Sequence, residues 1–337
     1  MDQVLLMIKP YNSMFSSIAL FLFCILFSSP IVSSQLDYRY YDKTCPNLTK
    51  IVRNGVRLAI SNDTRMAASL LRLQFHDCFV NGCDGSILLD ETSSLKGEKN
   101  AVPNKNSVRG YEVIDSIKSD VEKACPSTVS CTDILTLASR DAVVFAGGPF
   151  WNVQLGRRDS RTASDEDGVV KQLPSPFEPL ANITAKFTSK GFDSKDVVVL
   201  SGAHTIGFAQ CSTFKKRLFN FEGSGNPDPS LDSSLIKNLK SVCPNQDDSD
   251  TNLVALDASS SSKFDNGFFK NLVNNSGLLQ SDQALMTDNS TASMVKTYVY
   301  FPSSFFRDFG ASMFKLSNLG VLTAKDGEIR TNCRALN

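Results

Sequence analysis

Two histidines stand in a chain of 337 residues, and each lies among residues that could do chemistry. His76 sits in "LRLQFHDCFVNGCDGSILLD" (71–90), with Arg72 one turn earlier and a knot of Asp, Gly and Cys behind it. On a helix, Arg72, Phe75 and His76 share one face. A guanidinium beside an imidazole disfavours a second positive charge and so favours the neutral ring. A neutral imidazole accepts protons, and an arginine is a permanent cation. Together they could take a proton from a small substrate and stabilise the anion that leaves. The same pattern also suits a structural helix face with a solvated arginine. His204 lies in "LSGAHTIGFAQC" (200–211), crowded by apolar residues. A buried neutral imidazole must satisfy its N–H, usually on a carboxylate or carbonyl. His204 reads as a satisfied core residue or as a metal ligand.

Several chemistries are excluded. Two histidines cannot make a three-histidine zinc site, neither lies in HExxH, and no GxSxG is present. Two solitary histidines can flank a haem, one on the iron and one working on the opposite face. The loop "DCFVNGCDGS" (77–86) offers oxygen donors for a hard cation but lacks EF-hand spacing. An Asn-Gly turn with a local disulfide accounts for it equally well.

The elements that must position these residues read mainly as helix. Apolar residues recur at helical spacing in 64–80, 109–125, 130–148, 176–191, 193–211 and 302–320. Ser130 with Asp133 reads as a capping box. "WNVQLG" and "GEIRTNC" are the only short strand candidates, and 147–150, 173–176 and 223–230 read as loops. The fold class is mainly α with very little β, and function sits between helices.

Residues 1–34 read as a signal peptide: "IALFLFCILF" is a ten-residue apolar core, too short to span a bilayer. The mature domain is then 35–337, opening on Gln35, a residue that can cyclise. Cys24 is lost with the signal, and the eight remaining cysteines suit disulfides in an exported chain, with their pairing open. Sequons at Asn47, Asn62, Asn182, Asn274 and Asn289 are glycosylation candidates. Lys and Arg number 35, as do Asp and Glu, so no nucleic-acid partner or charged membrane surface is indicated. After signal removal the chain should be free of the membrane.

The two histidine segments resemble the distal and proximal motifs of the plant secretory (class III) haem peroxidases. The similarity continues through "NSVRGYEVID", "CTDILTLASRDAV", "LGRRDS", "FDNGFFKNL" and "GLLQSDQAL", covering essentially the whole mature chain. The resemblance implies a two-lobed helical fold with haem b between distal and proximal lobes, and two calcium ions. It makes His204 the axial iron ligand, with Asp282 accepting its other N–H. It makes His76 the distal acid–base, Arg72 its electrostatic partner and Asn104 the holder of the His76 ring. Glu98 would support Asn104 through its carboxylate, and Pro174 would line the donor site. The first calcium would take Asp77, Val80 and Gly82 (by carbonyl), Asp84 and Ser86. The second would take Thr205, Asp257, Ser260, Lys263 (by carbonyl) and Asp265. The implied disulfides are Cys45–Cys125, Cys78–Cys83, Cys131–Cys333 and Cys211–Cys243.

Intracellular relatives carry tryptophans beside the distal histidine and in the proximal pocket. Phe75 and Leu256 occupy those positions, and the only tryptophan is Trp151. The expected activity is therefore reduction of hydrogen peroxide with one-electron oxidation of small phenolic donors, such as lignin precursors and other wall phenolics. The chain ends four residues after Cys333, so export to the cell wall or apoplast is expected, as a monomer. A secreted binding module without chemistry, or an inactive peroxidase-like scaffold, would share the disulfides and sequons but not need Arg72, His76 and His204.

Overall fold

The computed structural model describes residues 36–337, which form one compact unit. The expected signal peptide (1–34) and Gln35 lie outside the described residues. Thirteen α-helices and two three-residue strands occur among the described residues. The mainly α expectation holds.

The helices carrying the distal residues follow from their burial patterns. Helix α1 (Leu48–Asn62) buries only Leu48, Val52 and Val56, a single stripe at a spacing of four. Helix α2 (Met66–Val80) is buried on most of its surface, as an internal helix must be. Helix α3 (Tyr111–Ala124) is again one-faced, while α4 (Cys131–Phe145) is buried almost throughout. Helix α4 packs against α1, α2 and α3 and forms the centre of this half.

"LGRRDS" explains how α4 is held. The first backbone N–H groups of a helix lack internal partners. Asp159 accepts from the N–H of Cys131 and Thr132, and also from that of Arg330. Ser130 Oγ accepts from the N–H of Asp133. The capping box expected there is only half formed, because the Asp133 side chain is committed to Tyr41, Gly156 and Arg157. Arg157 and Asp133 are both fully buried, with 2.8 Å between Nη1 and Oδ1.

The proximal half is built from α7 (Ser194–Ser201), α10 (Gly267–Val273), α12 (Asn289–Tyr300) and α13 (Pro302–Ser317), which pack on one another. Phe264, Phe268, Phe269, Phe305 and Phe309 interlock there, with ring centroids 4.8 to 5.7 Å apart in neighbouring pairs. One large core runs through both halves, and a smaller apolar cluster lies among residues 209–279.

Two expectations need correction. The segment 193–211 is not one helix. Asp193 caps α7 with a full capping box, but the helix ends at Ser201 and a short 3₁₀ turn carries His204. Gly207 at φ +101° then turns the chain into strand β1 (Phe208–Gln210), antiparallel to β2 (Leu253–Ala255). A Cβ on Gly207 would come within 2.9 Å of the Ala68 side chain on α2, so close approach as well as the turn requires glycine. The strand candidates "WNVQLG" and "GEIRTNC" make only isolated bridges, Leu155 to Asp37 and Asp159 to Glu328. The three loop segments are loops.

All four implied disulfides are present. Cys131–Cys333 spans 202 residues and ties the C-terminus to the start of α4. Closing so long a loop restricts the unfolded chain most. Replacing both cysteines by serine should cost about 2–5 kcal/mol, read as a lower midpoint in denaturant unfolding.

Candidate functional site

Helix α2 places Arg72, Phe75 and His76 on one side, as their spacing requires. His76 is 7% exposed, and its Nδ1 lies 2.5 Å from Asn104 Oδ1. Asn104 sits in a turn sequence, with its amide Nδ2 donating to the main-chain carbonyl of Glu98 at 2.8 Å. This corrects the role expected of Glu98: its backbone, not its carboxylate, holds Asn104. The Glu98 side chain turns toward Ser86 and Asp84 instead. One oxygen accepts from the N–H of Ser164, and the other is buried with no partner. Burial pushes this carboxyl up to about 7.

Arg72 donates through Nη2 to the Pro103 carbonyl (2.8 Å) and to Ser107 Oγ (3.1 Å). Burial pulls it down to about 10. Pro103 and Ser107 were missed by sequence reasoning. A backbone acceptor leaves no residue signature, and Ser107 is one serine among many. His76 is held well below the ordinary imidazole range, first by burial and then by the Arg72 charge, with the Asn104 hydrogen bond opposing. The ring is neutral at physiological pH.

His204 Nδ1 lies 2.8 Å from Asp282 Oδ1, on α11 (Gln280–Gln283). Burial opposes charge on His204, but the Asp282 carboxylate overcomes it and the net shift is upward. The Arg72 guanidinium acts on His204 as well as on His76. His204 lies deep in the molecule, yet its side chain keeps 38% of its surface accessible. Arg72 and Phe75 are also partly accessible. Two imidazoles, each held through Nδ1, would suit haem, with one of them holding the iron. A surface depression of about 500 Å³, lined by Asp115, Lys118, Ser119, Glu122, Lys123 and Thr331, contains none of these residues.

Some of the expected calcium donors lie close together. Around the distal loop, Asp77 Oδ1 and Ser86 Oγ are buried with no hydrogen-bond partner. Burial raises both Asp77 and Asp84. Neither forms a salt bridge, although Arg330 lies below the loop and donates to the Gly85 carbonyl. Buried carboxylates without a paired cation fit a metal site. Gly82 is buried, with φ +119°. The Val80 carbonyl receives Lys190 Nζ at 3.3 Å, and a carbonyl has a second lone pair for a cation.

On the proximal side, Thr205 Oγ1 donates to Asp265 Oδ1, and Ser260 Oγ to Asp257 Oδ2. A Cβ on Gly267 would fall 1.9 Å from Asp257 Oδ2 and 3.0 Å from Asp265 Oδ1, so the two carboxylates converge there. Asp257 is fully buried without a salt bridge, and Lys263 is exposed, leaving its carbonyl as the donor. Among the described residues no three His, Cys, Asp or Glu side chains cluster as metal ligands. Both donor sets thus depend on carbonyls and hydroxyls, as hard cations accept. Pro174 is partly exposed at the end of α5 (Glu166–Gln172), and the five sequon asparagines are all exposed.

The peroxidase family model matches residues 52–300. The chain is 62% identical over 304 residues to Peroxidase 10 of Arabidopsis thaliana, covering 90% of this chain and 87% of that protein. It is 52% identical to Peroxidase 54 of Arabidopsis thaliana over 307 residues, with 90% and 85% covered. Against Peroxidase N of Armoracia rusticana it is 50% identical over 324 residues, with 95% and 96% covered. The chain belongs to the plant class III peroxidases, enzymes with haem b and two calcium ions that reduce hydrogen peroxide at the expense of an organic donor.

Proposed function

We propose that His76 is the proton carrier of this peroxidase and Arg72 its electrostatic partner, and that His204 would hold the haem iron. The observation that carries this reading is that each imidazole is fixed through Nδ1, His76 by Asn104 Oδ1 at 2.5 Å and His204 by the Asp282 carboxylate at 2.8 Å. Haem b, when bound, supplies the iron that takes peroxide and the oxidising equivalents that donors then discharge. The Asn104 carboxamide oxygen fixes the proton on His76 Nδ1, which leaves Nε2 as the base. Nε2 takes a proton from the near oxygen of peroxide and returns it to the far oxygen, so that water leaves. Arg72 stabilises the negative charge that develops meanwhile. Asp282 makes His204 a more basic ligand through its hydrogen bond.

Phenolic donors, including lignin precursors and other wall phenolics, are the proposed reductants, binding near Pro174. The five exposed sequons, the four disulfides and the absence, among the described residues, of a helix able to cross a membrane support a glycoprotein exported to the apoplast. Zero net charge gives no general attraction for nucleic acid, and a monomer is the proposed form. Roles in peroxide catabolism and the response to oxidative stress follow from the activity.

The test is an absorption spectrum before and after stoichiometric peroxide, repeated across pH. A Soret band that changes with peroxide and recovers with a phenol is expected. The peroxide step should be constant near neutrality and slow as pH falls through the lowered His76 value, because the protonated ring has no lone pair. A rate that stays constant down to acid unfolding would remove His76 as the base.

A further inference from the structure

The steps above leave unused the aromatic rings behind His204. Phe268 lies 6.2 Å from the His204 ring, Phe269 lies 5.2 Å from Phe268, and Tyr298 lies 5.1 Å from Phe269. Tyr298 is 3% exposed, and its hydroxyl donates to Asp308 Oδ2 at 2.9 Å. Lys195 and Arg307 pair with Asp308. A phenol gives up an electron readily only when its proton has an acceptor, and here a carboxylate is already in place.

No other tyrosine among the described residues combines these features. Tyr41 donates to Asp133, but its one ring neighbour is Tyr40. The Tyr111 hydroxyl is buried without an acceptor. Tyr38, Tyr40 and Tyr300 are exposed. Trp151 joins the same ring cluster through Phe309, but its indole N–H has no acceptor.

We propose that Tyr298 is an internal one-electron donor to the peroxide-oxidised haem, with Phe268 and Phe269 as the path and Asp308 as the proton acceptor. This rests on His204 being the iron ligand. Reduction of one peroxide leaves the haem two electrons short. When external donor is absent, one electron passes from Tyr298 to the haem. The Tyr298 O–H bond breaks, its proton moves to Asp308 Oδ2, and a neutral phenoxyl radical remains. One oxidising equivalent then sits on the haem and one on Tyr298. Two donor molecules restore both, and Asp308 returns the proton. The phenylalanines are not themselves oxidised. Burial shields the radical from coupling in solvent and stores the equivalent away from His76.

The experiment is freeze-quenched EPR on haem-loaded enzyme after donor-free peroxide, with natural and ring-deuterated tyrosine and with Tyr298→Phe. Optical spectra of the same samples establish haem loading and its reaction with peroxide. A free-radical signal that narrows on deuteration and is lost in Tyr298→Phe is expected. No tyrosyl signal in the wild type, or one retained in Tyr298→Phe, overturns the proposal. If Tyr298→Phe does not load haem, Asp308→Asn keeps the phenol and removes the acceptor. A weaker or absent signal is then expected, because the phenol proton has lost its acceptor, and an unchanged one overturns the proposal. Failure of the His204 assignment would show separately, as unaltered iron coordination in His204→Ala.

Discussion

His76→Ala should bind haem and show an ordinary Soret band, yet react with peroxide slower by about 10²–10⁴-fold, the usual contribution of a positioned acid–base group. Haem retention is expected because the proposed iron ligand, His204, is on another element, a 3₁₀ turn. The loss should be large because nothing nearby can replace the ring. Arg72 cannot accept a proton, and Asn104 can only orient. Stopped-flow mixing with peroxide, following the Soret band, measures it. Full turnover in His76→Ala would remove the distal assignment. The mutant rate should also lose the acid decline, since the group that titrates is gone.

Calcium removal by chelation should lower the thermal midpoint by roughly 5–15 °C, since stranding buried charge costs about 3–5 kcal/mol and a domain of this size loses a few degrees per kcal/mol. The distal loop carries the effect to the chemistry, because Asp77 directly follows His76 on α2. Burial raises Asp77 and Asp84, whereas calcium held at the proposed distal site would require both ionised. Calcium binding should therefore release protons, and affinity should fall as pH falls through those raised values. Metal analysis beside calorimetry, with and without chelator, checks this. A midpoint unmoved after both ions are shown to have left would mean that the loops are held by their disulfide and hydrogen bonds alone.

Periodicity made the helices carrying the distal residues legible, because burying a stripe or a whole helix leaves its mark on residue types. The breaks were harder to see. Apolar spacing in 193–211 is helical throughout, but backbone geometry at Gly207 and pairing with a strand far along the chain override it. The strands pair residues too short in run to show alternation. The histidines, aspartates and cysteines were visible because their types are scarce or costly to bury. What escaped were contacts made by main-chain oxygens: Pro103 under Arg72 and Glu98 under Asn104. Such contacts depend on where the backbone runs, and the residue type at the position says little about them. Arg330 escaped because its partner, the Gly85 carbonyl, lies 245 residues away.

That distant contact bears on the order in which a growing chain can mature. The distal loop is closed from below by the end of the chain: Cys83 N–H reaches the Leu319 carbonyl, Gly82 abuts Gly320, and Arg330 holds Gly85. Synthesis delivers His76 early and these supports last. A nascent chain thus carries the helix of His76 before the segment that braces the loop, and the loop is complete only once residues 319–333 have been added and Cys131 has found Cys333.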